Sequence, residues 1–311
     1  MKWLEKKRKV TQKSFKEGAR GFIVKDIQMK LNEYSGLSGG IVPDRSYGKN
    51  TSNLVSLAKK QLNYINEDGS VIEEDFYEKL MGHSFPDVFH LSLNIVSAFE
   101  ATYFGGLVAD EKHNTVYCGI IGFSKEEIYR LLCMLVKRFP ESLNLIKDEG
   151  EKKKLSGILF DYKEEIAIRN LTLLLLGKHK FWRSVFSDWG NLEIMRELQM
   201  QMAKKYWEDS QFCLKIVAPD LLGVDRAKAL FFDCQVQNGG VRIFMSGKYN
   251  KFIEKEAFIT NEEKMLFIVD GVVQSSLPRW QQDVRNRKTL FAYGVSTVHG
   301  RNYQIANFGF E

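Results

Sequence analysis

Glu100 closes a run of apolar residues at helical spacing and stands just before a segment rich in Gly, Val, Tyr and Ile, Tyr103–Phe123. A carboxyl group there suits proton donation. Apolar neighbours such as Phe99 and Ala101 make its ionised form costly and keep the acid form populated near neutrality. Cleavage of a glycosidic bond uses such an acid to protonate the leaving oxygen, with a second carboxylate to activate water or stabilise the developing cation. Two carboxylates, Asp110 and Glu111, follow where the chain reads as a hairpin. A pair roughly 6.5–9.5 Å apart admits a water, whereas one about 5–5.5 Å apart works through a covalent intermediate. Both spacings stay open at this level, as does the choice between Asp110 and Glu111. A plainer reading of Asp110-Glu111-Lys112-His113-Asn114 is a solvated, charged hairpin tip. Glu100 as an ordinary exposed helix terminus is the plainer reading there, although the helix dipole disfavours a carboxylate at that end.

Other reactive side chains are less well arranged. Cys118 and His113 could approach across a tight hairpin, but no third group orients them as a nucleophile and its base. Cys118, Cys133, Cys213 and Cys234 are scattered without a C-x-x-C pair, and read as reduced thiols, mostly in the core. The five histidines lack ligand spacing, so neither a metal nor a cofactor is expected. Tyr103, Thr115 and Tyr117 lie near enough to Glu100 in sequence to contact a sugar. Trp182, Trp189, Trp207 and Trp280 read more simply as core.

These residues need elements to hold them. Val24, Ile27 and Leu31 form the stripe of a short helix, and Gly36–Asp44 reads as a loop. Thr51 is an expected N-cap for a second helix carrying Leu54, Val55, Leu57, Ala58 and Leu62. A turn at Asp68-Gly69 leads to a third helix with Phe76, Tyr77 and Leu80, and Pro86 marks a boundary. Helices are predicted over His90–Ala101, Lys125–Phe139, Leu155–Leu176, Leu192–Trp207 and Arg226–Gln237, with a terminal hairpin about Gly294–Gly300. The fold class expected is mainly α (α+β), with a small β-hairpin at the site.

Two resemblances attach to these residues. Val24-x-x-Ile27-Gln28-x-x-Leu31, Asp44-x-x-Tyr47-Gly48-x-x-Thr51, Val55, Gln61 and Asp68-Gly69-x-Val71 resemble the three-helix peptidoglycan-binding module that begins many wall hydrolases. Ser97-Ala98-Phe99-Glu100 with Tyr117-Cys118-Gly119-Ile120-Ile121-Gly122-Phe123 resembles the active-site region of glycoside hydrolase family 46, the chitosanases. Leu230–Gly240 is similar to that family's second signature. The wider likeness is to lysozyme-like domains of two helical lobes and to phage endolysins. It implies Glu100 as the acid, a hairpin Asp as the base, and Asp233 bridged to Arg279, Arg285 or Arg287 around the acid. Within the second signature, Gln237 joins the candidate substrate-binding residues. The chain departs from the family in two places. Lys112 or His113 stands where its basic Asp is expected, and Cys118 replaces the threonine that helps position water. These departures, together with the lack of evident acidic subsites for glucosamine's ammonium groups, favour an N-acetylated glycan over chitosan and allow a one-carboxylate, transglycosylase mechanism.

The organisation expected is a basic tail over residues 1–20, the module over 21–84 and the catalytic domain over 85–311. Eight of the 45 Lys/Arg and two of the 39 Asp/Glu fall in residues 1–20, so the net charge of +6 belongs to that segment. A basic tail suits an anionic wall, while the absence of a base-stacking motif argues against nucleic acid. The longest apolar run, Leu171–Leu176, is far short of the ~20 residues of a membrane span. The tail also lacks the apolar core of a secretory signal. The expectation is a monomeric enzyme of endolysin or autolysin type, made in the cytoplasm and reaching the wall by a holin-type route or within a virion. Its partner is peptidoglycan. A chitosanase, or a wall-binding or phage structural protein without catalysis, is the alternative.

Overall fold

The computed structural model describes residues 13–34, 40–100, 103–255 and 258–310. The protein is mainly helical, with small two-stranded antiparallel sheets. It divides into two compact units, one of residues 1–95 with 213–311 and the other of residues 96–212. The basic residues at positions 2, 6, 7, 8 and 9 lie outside the described residues.

The first unit opens with β1 (Ser14–Lys16), which pairs with β2 (Val71–Glu73) so that Phe15 lies opposite Ile72, both wholly buried. The basic segment is therefore not tail throughout, because one phenylalanine among the lysines docks it as a strand. Helices α1 (Phe22–Tyr34), α2 (Lys49–Gln61) and α3 (Glu74–Met81) follow the predicted apolar spacing, with Val24, Ile27, Val55, Phe76 and Leu80 buried. Thr51 does not cap α2, which starts two residues earlier behind Gly48. Its hydroxyl instead accepts a hydrogen bond at 2.9 Å from Gln28, a buried amide whose nitrogen also donates to Asp44 and to the Ser46 carbonyl. A buried amide without partners would cost more than an uncapped helix end. Lys59, also buried, spends its three donors on the Asp68 and Val71 carbonyls and on Glu73, at 2.6–2.8 Å. Asn94 of α4 (Val88–Glu100) bonds the Ile23 N–H and the Arg20 carbonyl, tying α4 to the start of α1.

The chain leaves this unit within α4. In the second unit β3 (Leu107–Asp110) and β4 (Thr115–Cys118) form the hairpin, and α5 (Lys125–Arg138) begins with a capping box of Ser124 and Glu127. The helix predicted over Leu155–Leu176 is two, α6 (Glu149–Asp161) and α7 (Glu164–Gly177). Tyr162 and Lys163 between them are extended, and Glu164 and Glu165 favour a fresh N-terminus there by meeting the helix dipole. Next come α8 (His179–Trp189) and α9 (Glu193–Val217). Trp182, Phe186 and Trp189 fill the core with Leu131, Leu132 and Leu135.

The chain returns to the first unit within α9 and continues through α10 (Asp225–Asn238), α11 (Met245–Ile253), α12 (Asn261–Ser275) and α13 (Gln281–Tyr293). A final hairpin pairs β5 (Val295–Val298) with β6 (Arg301–Gln304) across His299-Gly300, both at positive φ, the turn that matches strand twist. Among the described residues no helix is long and apolar enough to cross a membrane.

Candidate active site

Glu100 is the last residue of α4 and is half-buried. Phe99 before it is buried, while Ala101 and Thr102 lie outside the described residues. One Glu100 carboxylate oxygen lies 3.6 Å from where a Cβ on Gly122 would stand. Gly122 ends the tight turn Gly119–Gly122, which the Cys118 and Phe123 backbones close with a reciprocal pair of hydrogen bonds at 3.1 and 2.7 Å. Both glycines take positive φ, near +70°, where a side chain would be strained. The sequence Gly-Ile-Ile-Gly therefore has a local reason: it folds the chain back beside Glu100.

The hairpin alternates as a half-buried sheet should. Leu107, Val116 and Cys118 face inward, while Val108, Asp110, Thr115 and Tyr117 share the outer face, with Asp110 opposite Thr115 and Val108 opposite Tyr117. Three expected site residues, Asp110, Thr115 and Tyr117, are thus brought onto one surface. Asp110 also shapes the tip. Its carboxylate accepts from the His113 backbone N–H at 3.2 Å and bonds the His113 ring at 2.8 Å, capping the short turn Glu111–His113. The His113 ring above all, outweighing slight desolvation, holds the Asp110 carboxyl below the usual carboxylate range. Glu111 is exposed on the same turn.

Cys118 is wholly buried at the far end of β4 from His113, and burial, reinforced by Glu127, pushes its thiol well up. A thiolate nucleophile served by His113 is not what this hairpin builds. Tyr103 is half-buried, its ring 5.0 Å from that of Phe104. The Arg196 guanidinium of α9 lies 5.8 Å from the Tyr103 ring and 4.9 Å from the Phe104 ring. One helical turn on, buried Gln199 bonds both the Phe104 carbonyl and the Ile120 N–H. The chain finds no match among protein-family models, curated proteins or solved structures.

The second expected constellation lies in the first unit. Asp233 on α10 is wholly buried, and of the three candidate arginines Arg287 reaches it, at 2.7 Å. Arg285 instead pairs with Asp270 at the surface, and Arg279 stacks beside Trp280, because their places on and before α13 turn them away from α10. The other partner of Asp233 is Lys288, wholly buried, at 2.6 Å. Burial works to raise the Asp233 carboxyl, but Arg287 and then Lys288 outweigh it and hold it below the usual range. Gln237 belongs to this cluster, accepting from Lys288 and donating to Asp283, which in turn holds His299 at 2.8 Å. With both ends of its amide engaged, Gln237 is a structural link. Lys288, Asp283 and His299 escaped the sequence reading. A lysine beside an arginine on a helix ordinarily signals a solvated face, and only the turn geometry brings His299 near.

Proposed function

We propose that the protein is a glycosidase of the lysozyme-like kind that cuts the glycan strand of bacterial peptidoglycan. The observation that supports this is the Glu100 carboxylate beside Gly122, at the foot of a hairpin whose outer face carries Asp110, Thr115 and Tyr117. In this reading Glu100 gives its proton to the glycosidic oxygen as the bond to the anomeric carbon breaks. Asp110, or Glu111 beside it, takes a proton from the water that adds to that carbon. Tyr103, Thr115 and Tyr117 contact sugars. Asp233 with Arg287 serves as scaffold. Residues 21–84 act as a wall-binding module that raises local substrate concentration, and the basic N-terminal residues add attraction to an anionic wall that salt weakens.

A one-carboxylate reading is favoured by the engagement of Asp110 with both the ring and the backbone of His113. Glu100 then acts alone: having protonated the leaving oxygen, its carboxylate takes the proton of the sugar's own hydroxyl as that oxygen bonds the anomeric carbon and closes an anhydro end. Digestion of purified peptidoglycan by wild type and Glu100→Gln, followed by mass spectrometry, tests both. New reducing ends from wild type only are the expected result, with a loss of at least about 100-fold in the variant. Anhydro ends move the reaction to transglycosylation. Release of nothing by either protein, with both still pelleting on walls, overturns the enzyme and leaves a wall-binding protein.

A further inference from the structure

Gln199 stands on the second turn of α9, wholly buried, and among the described residues its amide bonds peptide groups. Its nitrogen donates to the Phe104 carbonyl at 2.7 Å, and its oxygen accepts from the Ile120 N–H at 2.9 Å. These two groups belong to the two pieces of chain that must meet for Glu100 to face the glycine turn. Phe104 lies in the segment leaving α4, and Ile120 lies inside Gly119–Gly122. The pieces also touch through the Gly119 N–H and the Gly106 carbonyl, 2.9 Å apart. Gly119 makes room for the bridge, since a Cβ there would stand 2.4 Å from the Gln199 oxygen. The exit segment is clamped from its other side too. A side chain on Gly105 would meet the α8 backbone at 2.7 Å, and one on Gly190 would meet Gly105 at 2.2 Å.

We infer that Gln199 is a positioning residue for Glu100, its amide fixing the glycine turn against the exit of the acid-bearing helix. The inference rests on the glycosidase reading of Glu100 and adds to it the group that sets the acid's geometry. An amide is needed because one contact requires a donor and the other an acceptor. An ionised carboxylate of the same shape can accept from Ile120 but cannot donate to Phe104, whereas the protonated carboxyl can do both.

Gln199→Glu therefore makes positioning depend on pH in a way that loss of packing does not. Burial raises the introduced carboxyl by roughly 3–5 units, so it holds its proton near neutrality and gives it up between about pH 7 and pH 9. At pH 9 the full-length variant is expected to lose about tenfold in kcat on peptidoglycan, with KM within about twofold of wild type. The ratio of variant to wild type should climb back as pH falls. Over the same range the Ile120 and Gly122 amide resonances should return toward their wild-type positions. Gln199→Leu, which can do neither job, should show a loss that pH does not mend. A Gln199→Glu variant with wild-type kcat and resonances at every pH overturns the proposal, as does a loss that stays constant with pH. Should wild type cut no glycan, the glycosidase reading fails by itself. The resonances alone then decide whether Gln199 sets the turn.

Discussion

At Asp233 two effects of opposite sign meet: burial works against the charge, and two cations at hydrogen-bond distance work for it. The cations win, so the carboxylate is ionised in the fold and the interior tolerates three charged groups together. Removing the negative one leaves Arg287 and Lys288 buried against each other. Asp233→Asn is therefore expected to cost about 3 kcal/mol of stability at pH 7, read by denaturant unfolding. The sign of its pH dependence follows from the lowered carboxyl. The stabilisation is fully present above the unfolded value, near pH 4, and is lost as pH falls through the lower folded value. The gap in Tm between wild type and Asp233→Asn should therefore narrow below about pH 4. A gap that stays constant down to pH 2 would mean that the carboxylate contributes nothing by its charge.

Elements in this chain form where local rules and tertiary demands agree, and the glycine at position 69 shows how strict the agreement can be. A Cβ there would lie 1.9 Å from the Ser52 carbonyl oxygen of α2, while the Gly69 carbonyl accepts from Tyr47. Gly69→Ala should thus separate α2 from the β2 turn and lower Tm by several degrees or more. Gly82→Ala, with open space around it, should show only the mild strain of its left-handed backbone. Turn glycines and apolar periodicity made α1, α3, α5 and the two hairpins legible in sequence. The break at Tyr162-Lys163 was not, since neither residue stops a helix by itself. The same division holds for the site. Asp110, Thr115 and Tyr117 share a face by the simple alternation of a strand. Gln199 was hidden, being one polar residue beside Leu198 in a long amphipathic helix. Its role depends on two backbone groups 79 and 95 residues away.

At the scale of the molecule, the first unit draws its core from both ends of the sequence. Phe15 bridges to Phe308 through the backbone, and both rings are fully buried; Phe85 lies 5.2 Å from Phe15. Phe308→Ala is expected to destabilise this unit by about 3–5 kcal/mol. Amide exchange at Phe15 and Ile72 should quicken far more than at Leu131 and Leu132 of α5. Equal acceleration in both places would show that the two sets of residues open together. The bridge from Phe15 to Phe308 also sets an order in time. Residues 96–212 are contiguous and can close their contacts as they leave the ribosome. The strand bearing Phe15 can pair early with β2, but its other edge must wait for Phe308, almost three hundred residues behind it. At synthesis rates of about 5–20 residues per second, that leaves an apolar strand edge uncovered for roughly 15–60 s. During that interval the newborn chain is a client for chaperones and a target for proteases.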